Sequence, residues 1–382
     1  MNITVSPEKL HGTIAAIPSK SQAHRLLICA AFADATTTLT CPETNRDMEA
    51  TADCLRALGA KIERTEQGYS VTPIKEIPAT APLPCCESGS TLRFLLPVVG
   101  ALGVDATFTM EGRLSQRPLS PLWEEMERMG CILQRPSENT IRCQGRLKSG
   151  NYYMDGGISS QFITGLMFAH MLMGNCSLTI TGKLESKPYV DLTKAALSLF
   201  PDRHSPGCVA VEGDWSNAAF FLAAKALGSD LEVTNLNNST AQGDRSVADL
   251  LPLLQRTNPR ISAADIPDLV PILSVVAAAN NGAVFTDIQR LRLKESDRVA
   301  SVIAMLEALG GSASATEETL TIYPTQLIGG VVDSCNDHRI AMSAAIAATI
   351  CKGSVTILGA EAVNKSYPTF WAELRRLGGK YE

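Results

Sequence analysis

Seven basic residues lie at or just after the predicted starts of apolar helices, or in the segments that connect those helices. They are Lys20, Arg25, Arg117, Lys294, Arg298, Arg339 and Lys365. A helix N-terminus carries unsatisfied N–H groups and about half a positive charge. Guanidinium and ammonium groups add charge-assisted hydrogen bonds to carboxylates and phosphates. If the helices converge, these residues predict a site for a small, highly charged anion.

The first of these helix starts carries the sequence P-S-K-S-Q-A-H-R at 18–25. Lys20 stands at the predicted N-terminus and Arg25 lies about one and a half turns further on. The segment lacks the glycine ladder of a phosphate-binding loop. Without the rest of the chain, the two cations are typical of solvated surface charges and His24 of a structural histidine. Only convergence with the other cations favours a ligand-binding role.

A possible proton donor lies in the segment R-L-K-E-S-D-R at 292–298. Glu295 follows Lys294, and Arg298 comes one helical turn after Lys294. A glutamate beside cations in a dry cleft can hold a proton close to a reacting carbon. The alternative interpretation is an exposed charged turn that Ser296 caps.

Asp268 is the second acidic candidate. It leads directly into the apolar run at 269–279, where an unpaired carboxylate is costly. The residue is therefore either a helix cap or a catalytic base.

The elements that must position these residues recur six times, as a polar turn followed by a strongly apolar helix. The turns are S-K-S at 19–21, G-S-T at 89–91, S-S-Q at 159–161, D-W-S at 214–216, P-D at 267–268 and D-H-R at 337–339. Stretches rich in β-branched residues, such as 177–181 and 283–286, lie between the helices and predict strands. The sequence therefore predicts an α/β protein built from repeated units.

Each unit also contains an amphipathic helix, and four of these helices are followed by glycine, the residue favoured just past a helix end. The glycines are Gly59, Gly130, Gly310 and Gly378. The amphipathic helices begin near 47, 120, 191, 244, 296 and 367, so the third and fourth units are shorter than the others. We predict two domains of three units each, with the hinge near 211–213.

Composition limits the function classes. The chain has 382 residues, 45% hydrophobic and 19% charged, which favours a folded protein of two domains. A net charge of −5 gives no basic surface for nucleic acid or an anionic membrane. No apolar run approaches the roughly 20 residues of a membrane-spanning helix, and no signal peptide is recognisable. The eleven scattered cysteines indicate reduced thiols in a cytoplasmic protein and no zinc site.

Nine segments together resemble the enolpyruvyl transferase family, and specifically the 5-enolpyruvylshikimate-3-phosphate synthases. They are P-S-K-S-Q-A-H-R at 18–25, E-S-G-S-T-L-R at 87–93, E-G-R-L-S-Q-R-P at 111–118, D-G-G-I-S-S-Q-F at 155–162, S-K-P-Y-V-D at 186–191, I-P-D at 266–268, R-L-K-E-S-D-R at 292–298, N-D-H-R-I-A-M at 336–342 and N-K-S-Y-P at 364–368. They span nearly the whole chain in the family's order.

The resemblance implies two domains, each of three βαβαββ units of the inside-out α/β barrel type, with the third and fourth units shortened. The expected C-terminal enolpyruvyl transferase domain comprises 1–18 and 213–382. The expected domain that binds shikimate 3-phosphate comprises 19–212. The resemblance implies a monomer that acts on small molecules, with no metal and no cofactor.

Site residues follow from the same resemblance. Those expected to bind shikimate 3-phosphate are Lys20, Ser21, Arg25, Ser159, Ser160, Gln161, Ser186, Tyr189, Asp268 and Lys294. Those expected to bind phosphoenolpyruvate are Lys20, Gly89, Arg117, Gln161, Arg298, Arg339 and Lys365. The expected catalytic residues are Glu295, which protonates the methylene carbon, together with Asp268, Lys365 and Lys20.

Two positions depart from the family pattern. Glu87 begins E-S-G-S where many relatives have N-A-G-T, and Arg290 stands where some relatives have Asn. Neither residue is given a role. The resemblance also implies that the inhibitor glyphosate occupies the phosphoenolpyruvate subsite, and that Ala in place of Gly89 favours resistance.

Two other functions are weighed against this one. A related family transfers enolpyruvate to a UDP-sugar and has a cysteine in the loop that corresponds to 111–118, but this loop contains none. The other alternative is a catalytically silent binding or scaffold protein, which the shortened units would allow. Retention of Lys20, Asp268, Glu295 and Lys365 argues against it.

Overall fold

All 382 residues are described by the structure, a computed structural model. The chain is α/β and divides into two units. The N-terminal unit comprises Pro18–Glu212, and the C-terminal unit comprises Met1–Ile17 together with Gly213–Glu382. The first two strands, β1 (Asn2–Val5) and β2 (His11–Ala15), therefore belong to the C-terminal unit. No helix combines the length and the hydropathy needed to cross a membrane.

The N-terminal unit contains six helices and ten strands, together with 3-10 turns at Gly112–Gln116 and Pro201–Arg203. In chain order the helices and strands are α1 (Lys20–Ala31), β3 (Thr37–Thr40), α2 (Arg46–Ala57), β4 (Lys61–Thr65), β5 (Gly68–Thr72), β6 (Thr80–Cys86), α3 (Gly89–Leu102), β7 (Asp105–Met110), α4 (Leu122–Arg128), β8 (Cys131–Ser137), β9 (Thr140–Gly145), β10 (Asn151–Asp155), α5 (Ser160–Met173), β11 (Ser177–Thr181), α6 (Lys187–Ser198) and β12 (Cys208–Ala210).

Its sheets repeat one pattern. In the sheet β6-β7-β9-β8, β6 and β7 are parallel and β9 is antiparallel to both of its neighbours. The sheet β12-β3-β5-β4 has the same arrangement, with the last strand of the N-terminal unit in the first position. The third sheet is the parallel pair β10-β11 alone. It belongs to the third repeat, which the sequence predicts to be short.

The C-terminal unit continues with 3-10 turns at Gly243–Ser246, Gln289–Leu293 and Ala360–Lys365. Its helices and remaining strands are α7 (Trp215–Ala226), β13 (Asp230–Thr234), α8 (Val247–Arg256), β14 (Arg260–Ser262), α9 (Val270–Ala279), β15 (Ala283–Thr286), α10 (Arg298–Ala308), β16 (Ser312–Ala315), β17 (Thr319–Tyr323), β18 (Gly330–Asp333), α11 (His338–Ala348), β19 (Val355–Leu358) and α12 (Phe370–Arg376).

The first two strands of the chain complete two of the sheets in the C-terminal unit. The sheet β14-β15-β17-β16 repeats the four-stranded pattern by itself. β1 lies antiparallel to β19, which is parallel to β18. β2 pairs with β13 in a parallel two-stranded sheet, which belongs to the fourth, short repeat. Each unit encloses its own hydrophobic core.

The apolar helices that follow polar turns are α1, α3, α5, α7, α9 and α11. Five of them begin at a side-chain cap, from Ser19, Ser88, Ser159, Asp214 or Asp337. α9 is the exception, because its N-cap is Leu269 and no side chain caps it. The interpretation of Asp268 as a helix cap is therefore wrong.

The ends of the amphipathic helices agree with the sequence. Gly59, Gly130, Gly310 and Gly378 have φ angles of 107°, 110°, 80° and 94°, so the prediction of left-handed residues after these helices is confirmed. The cap of α10 differs from expectation. Asp297, and not Ser296, accepts hydrogen bonds from the first N–H groups of that helix.

Candidate active site

Lys20 is the first residue of α1 and lies in an ion pair. Its Nζ donates to Asp47 Oδ2 at 3.0 Å, and the two side chains are only 16% and 15% exposed. Ser21 follows it in the first turn of α1. The surface-charge interpretation of Lys20 is therefore wrong. The sequence prediction missed Asp47, whose only signal is its place in the first turn of α2.

Arg25 is buried, so the surface-charge interpretation is wrong for it as well. Its Nε donates to Thr193 Oγ1 at 2.8 Å, and its two terminal nitrogens donate to the carbonyl oxygens of Ser21 and Tyr189. The guanidinium lies 5.0 Å from the centre of the Phe94 ring. Burial lowers the pKa of Arg25 to about 10, which leaves the group cationic at neutral pH. Arg25 thus joins the start of α1 to the start of α6.

His24 has a structural environment. Its Nδ1 lies 2.7 Å from Thr51 Oγ1, which lies 2.7 Å from Thr91 Oγ1. Thr91 in turn donates to Ser88 Oγ at 2.8 Å. Burial and the two neighbouring cations hold the pKa of His24 well below its ordinary value, so the ring is neutral. This chain of contacts joins α1 to the start of α3 through Thr51 in the middle of α2.

Two guanidinium groups lie against Gly89, the first residue of α3. A Cβ placed on Gly89 would lie 2.6 Å from a terminal nitrogen of Arg117 and 2.7 Å from one of Arg93. Arg93 is buried and donates to the carbonyl oxygen of Pro118 at 3.1 Å. Its other terminal nitrogen lies 3.4 Å from Gln161 Oε1. The sequence prediction gave Arg93 no role, although it ends the motif at 87–93.

The remaining predicted residues of this unit lie at the starts of α5 and α6. Ser159 caps α5 and accepts from the backbone N–H of Gln161 at 3.3 Å, while Ser160 is the first residue of the helix. Ser186 precedes α6 in a left-handed conformation with φ of 55°, and Tyr189 lies in the first turn of that helix. The N-terminal unit therefore brings these helix starts and their predicted cations into one connected network.

Arg298 is the centre of the site in the C-terminal unit. It is the first residue of α10, its side chain is 1% exposed, and it contacts three carboxylates. Its Nε donates to Asp337 at 2.9 Å, and its terminal nitrogens donate to Asp268 at 2.6 Å and to Glu295 at 2.9 Å. Burial lowers the pKa of Arg298, but the three carboxylates outweigh burial and hold the pKa well above its ordinary value.

Asp268 accepts hydrogen bonds from two arginines. Arg298 donates to one of its oxygens, and Arg339 donates to the other at 3.4 Å. Burial raises the pKa of the carboxyl, but Arg298, Arg339 and Lys294 outweigh burial and hold the pKa well below its ordinary value. Asp268 is thus ionised at neutral pH. A carboxylate with so low a pKa accepts a hydrogen bond from a hydroxyl readily but is a weak base.

Lys294 has a strongly shifted pKa. Burial lowers the pKa to about 8, with Arg290 and Arg298 adding to the decrease and Asp268 and Glu295 opposing it. The ammonium therefore loses its proton close to the physiological pH range.

Arg339 and Lys365 complete the predicted cations. Arg339 is buried, one terminal nitrogen donates to the carbonyl oxygen of Ser216 at 2.9 Å, and its buried Nε has no hydrogen-bond partner in the protein. Asp337, which the sequence prediction missed, caps α11 by accepting from Arg339 N. Lys365 ends a 3-10 turn and donates from Nζ to the carbonyl oxygen of Asn336 at 2.8 Å.

Comparison with known proteins gives consistent matches. The family profile described as EPSP synthase (3-phosphoshikimate 1-carboxyvinyltransferase) matches residues 5–374. The 3-phosphoshikimate 1-carboxyvinyltransferase of Clostridium acetobutylicum is 38% identical, over 99% of this chain and 97% of the relative. That of Clostridium kluyveri is 35% identical over a 417-residue alignment, which covers 100% of this chain and 98% of the relative. Because this alignment is longer than the 382 residues of the chain, it contains gaps in this chain, as is expected when some of its units are shortened.

Solved structures agree in fold. EPSP synthase from Acinetobacter baumannii superposes with a TM-score of 0.80 at 24% identity and covers 100% of this chain and 99% of that chain. The enolpyruvyl transferase NikO from Streptomyces tendae gives a TM-score of 0.75 at 17% identity, over 100% and 98% of the two chains. These likenesses support the two-domain α/β fold. From the sequence matches it follows that the chain belongs to the EPSP synthase, or 3-phosphoshikimate 1-carboxyvinyltransferase, family.

Proposed function

We propose that the two clusters described above, one in each unit, bind two anionic substrates and transfer protons during their reaction. The protein is an enzyme that transfers the enolpyruvyl group of phosphoenolpyruvate to the 5-hydroxyl of shikimate 3-phosphate, with release of phosphate. This reaction belongs to the shikimate pathway of aromatic amino-acid biosynthesis. The residue roles rest chiefly on one observation, the contact of buried Arg298 with both Asp268 and Glu295.

Shikimate 3-phosphate needs cations for its phosphate and acceptors for its hydroxyls. In our proposal the helix starts of the N-terminal unit supply most of these groups. The residues are Lys20, Ser21, Arg25, Ser159, Ser160, Gln161, Ser186 and Tyr189, with Asp268 and Lys294 at the 5-hydroxyl. The low pKa of Asp268 suits a residue that accepts the hydrogen bond of that hydroxyl.

Phosphoenolpyruvate carries a phosphate and a carboxylate, and we assign arginines to both. The proposed ligands are Lys20, Gly89, Arg117, Gln161, Arg298, Arg339 and Lys365. Arg93, which is buried and lies against Gly89 beside the half-buried Arg117, adds a further guanidinium to this subsite. The unpartnered Nε of Arg339 is a donor that a substrate oxygen can satisfy.

The chemistry requires a proton on the methylene carbon of phosphoenolpyruvate as the 5-hydroxyl attacks the adjacent carbon. We assign the carbon proton to Glu295, whose carboxyl Arg298 holds at 2.9 Å. Lys365, Lys20 and Asp268 assist at the hydroxyl and at the departing phosphate. The tetrahedral intermediate then loses phosphate and a methyl proton, and the enol ether forms.

The finer architecture is also a proposal. We infer that the repeats are βαβαββ units of inside-out α/β barrels, with the third and fourth units shortened, because the full four-stranded sheets share one pattern of parallel and antiparallel pairing. The N-terminal unit would be the shikimate 3-phosphate-binding domain and the C-terminal unit the enolpyruvyl transferase domain. We propose a monomer that acts on small molecules.

The test is phosphate release. Phosphoenolpyruvate with shikimate 3-phosphate should release phosphate at a rate that EDTA does not change. Phosphoenolpyruvate alone, or with UDP-N-acetylglucosamine, should release none. Turnover with the UDP-sugar would contradict the acceptor, and loss of activity in EDTA that a divalent ion restores would contradict the metal-free mechanism.

A further inference from the structure

The segment 111–117, which ends at Arg117, is held against the turn before α3 at both of its ends. At its start, the backbone N–H of Glu111 donates to the carbonyl oxygen of Cys86 at 2.7 Å. At its end, the Arg117 guanidinium lies against Gly89. The position of Arg117 therefore depends on how this segment is fixed to the residues before α3.

Glu87 packs on the second residue of the segment. Gly112 has a φ angle of 55°, and a Cβ placed on it would overlap the Glu87 carboxyl, at 2.7 Å from Cδ and 3.1 Å from Cγ. The Glu87 side chain thus fills the space that the missing side chain of Gly112 leaves. Glycine is needed at 112 both for its conformation and for this contact.

One cation, Arg46, interacts electrostatically with both acidic residues of this region. Arg46 donates from a terminal nitrogen to Glu111 Oε2 at 2.5 Å. Burial lowers the pKa of Arg46, but Glu111, Cys86 and Glu87 outweigh burial and raise it. Glu87 therefore lies within the electrostatic field of Arg46 as well as against Gly112.

We propose that Glu87 is a positioning residue for the phosphoenolpyruvate subsite: its packing on Gly112 fixes the start of the segment 111–117 and so holds Arg117 against Gly89. This inference rests on the proposed function, in which Arg117 and Gly89 contact phosphoenolpyruvate. Glu87 acts through Arg117 and does not itself touch the substrate.

The first test separates packing from charge. Glu87→Ala removes the contact with Gly112 and should raise KM for phosphoenolpyruvate roughly tenfold, because a displacement of about 1 Å can cost ~10²-fold. KM for shikimate 3-phosphate should stay within about twofold, which a general loss of structure would not produce. Glu87→Gln keeps the packing, so its KM for phosphoenolpyruvate should stay within about threefold of the wild-type value.

The second test changes the other partner of the contact, Gly112. Gly112→Ala should raise KM for phosphoenolpyruvate in the wild-type background, because its Cβ displaces Glu87. In the Glu87→Ala background the same change should raise that KM much less, because the overlap is gone and only the backbone strain at a φ angle of 55° is left. Gly174→Ala is the control, because Gly174 has a φ angle of 64° but nothing within 4 Å of its Cβ position. It should leave both KM values unchanged.

Arg117→Ala distinguishes the positioning role of Glu87 from the proposed phosphoenolpyruvate subsite itself. If Arg117→Ala raises KM for phosphoenolpyruvate and neither Glu87→Ala nor Gly112→Ala does, the positioning role of Glu87 is wrong and the subsite assignment stands. Equal effects of Gly112→Ala in both backgrounds would also overturn the positioning role. If Arg117→Ala leaves that KM unchanged, the proposed subsite itself is wrong.

Discussion

At the scale of single residues, the Arg298 guanidinium is the common partner of three carboxylates in the C-terminal unit. It holds Asp337, Asp268 and Glu295 within 2.6 to 2.9 Å, and it is almost completely buried. A buried charge must be paired, and removing one partner of such a pair leaves an uncompensated charge. The carboxylates are therefore best probed by substitutions that keep the shape of the side chain.

Glu295→Gln is such a substitution. We expect turnover to fall by about 10²–10⁴-fold, the usual contribution of a general acid or base, while affinity for shikimate 3-phosphate changes little. Steady-state kinetics and direct binding of shikimate 3-phosphate check the two parts. Glu307→Gln, an exposed change in α10, the helix that follows Glu295, is the control. Turnover within about threefold of wild type would show that another group delivers the proton.

The pKa of Lys294, about 8, predicts a pH effect. The ammonium form donates to shikimate 3-phosphate in our proposal, and this form is lost as the pH rises through about 8. We therefore expect kcat/KM for shikimate 3-phosphate to decrease above that pH. Lys294→Arg keeps its charge and should move the decrease to higher pH. Identical pH profiles for the two proteins would exclude Lys294 as the titrating group.

Gly89→Ala tests the room available in the donor subsite. The added methyl group would lie 2.6 Å from Arg117 and 2.7 Å from Arg93, so the flexible guanidinium groups must shift or the methyl must intrude on the ligand. We expect the inhibition constant of glyphosate, the longer molecule, to rise more than KM for phosphoenolpyruvate. Both constants are measured on wild type and variant. Equal proportional increases would mean that Gly89 shapes the whole subsite.

At the scale of helices and strands, Arg25 joins α1 to α6 and, in our proposal, also binds shikimate 3-phosphate, so its substitution should affect both stability and binding. Arg25→Ala removes the hydrogen bonds from the guanidinium to the Thr193 hydroxyl and to two backbone carbonyl groups, and hydrogen bonds to a charged group contribute ~1.5–3 kcal/mol. We expect a lower free energy of unfolding together with weaker binding of shikimate 3-phosphate. Urea unfolding and direct binding measure the two effects.

A matched change separates those two effects of Arg25. Thr193→Val removes one partner of Arg25 and keeps the cation, so it should lower stability with a smaller loss of affinity than Arg25→Ala. If Arg25→Ala lowered stability and left the affinity unchanged, the placement of shikimate 3-phosphate at α1 would be wrong.

Elements governed by local sequence could be predicted, and long-range contacts could not. Gly310 ends its helix as expected because a left-handed residue is a local requirement. The strands Ser177–Thr181 and Ala283–Thr286 agree with the pattern of β-branched residues. By contrast, the cap of α10 is Asp297 and not Ser296, since two adjacent polar residues give the same local signal.

Within the candidate site, the cations could be predicted but their partners could not. Asp47 and Arg93 lie in recognisable helix starts, yet Asp47 pairs with Lys20 of another helix and Arg93 donates to the carbonyl oxygen of Pro118, which is distant in sequence. The close approach of α5 to α3 could not be predicted from the sequence either. It depends on Gly165, where a Cβ would overlap the carbonyl oxygen of Arg93 and lie 3.0 Å from Pro97 Cγ. Periodicity along one helix contains no information about such a crossing.

At the scale of the whole molecule, each unit has a separate core, and strands from distant parts of the chain complete both units. β12 occupies the first position in the sheet of the first repeat, and β2 does the same for the fourth. The residues 1–17 are thus part of the C-terminal core, although they precede the entire N-terminal unit in sequence. A defect in β2 should therefore destabilise the unit that lies far away along the chain.

Ile14→Ala tests this arrangement. Ile14 is buried in the C-terminal core, and it lies opposite Val233 in the pairing of β2 with β13. The change should therefore lower the free energy of unfolding by ~2–5 kcal/mol. Hydrogen exchange should increase mainly in 1–17 and 213–382. Ile28→Ala, buried in the N-terminal core, is the matched variant and should increase exchange mainly in 18–212. If either variant accelerated exchange equally in both regions, the two cores would unfold as one cooperative unit.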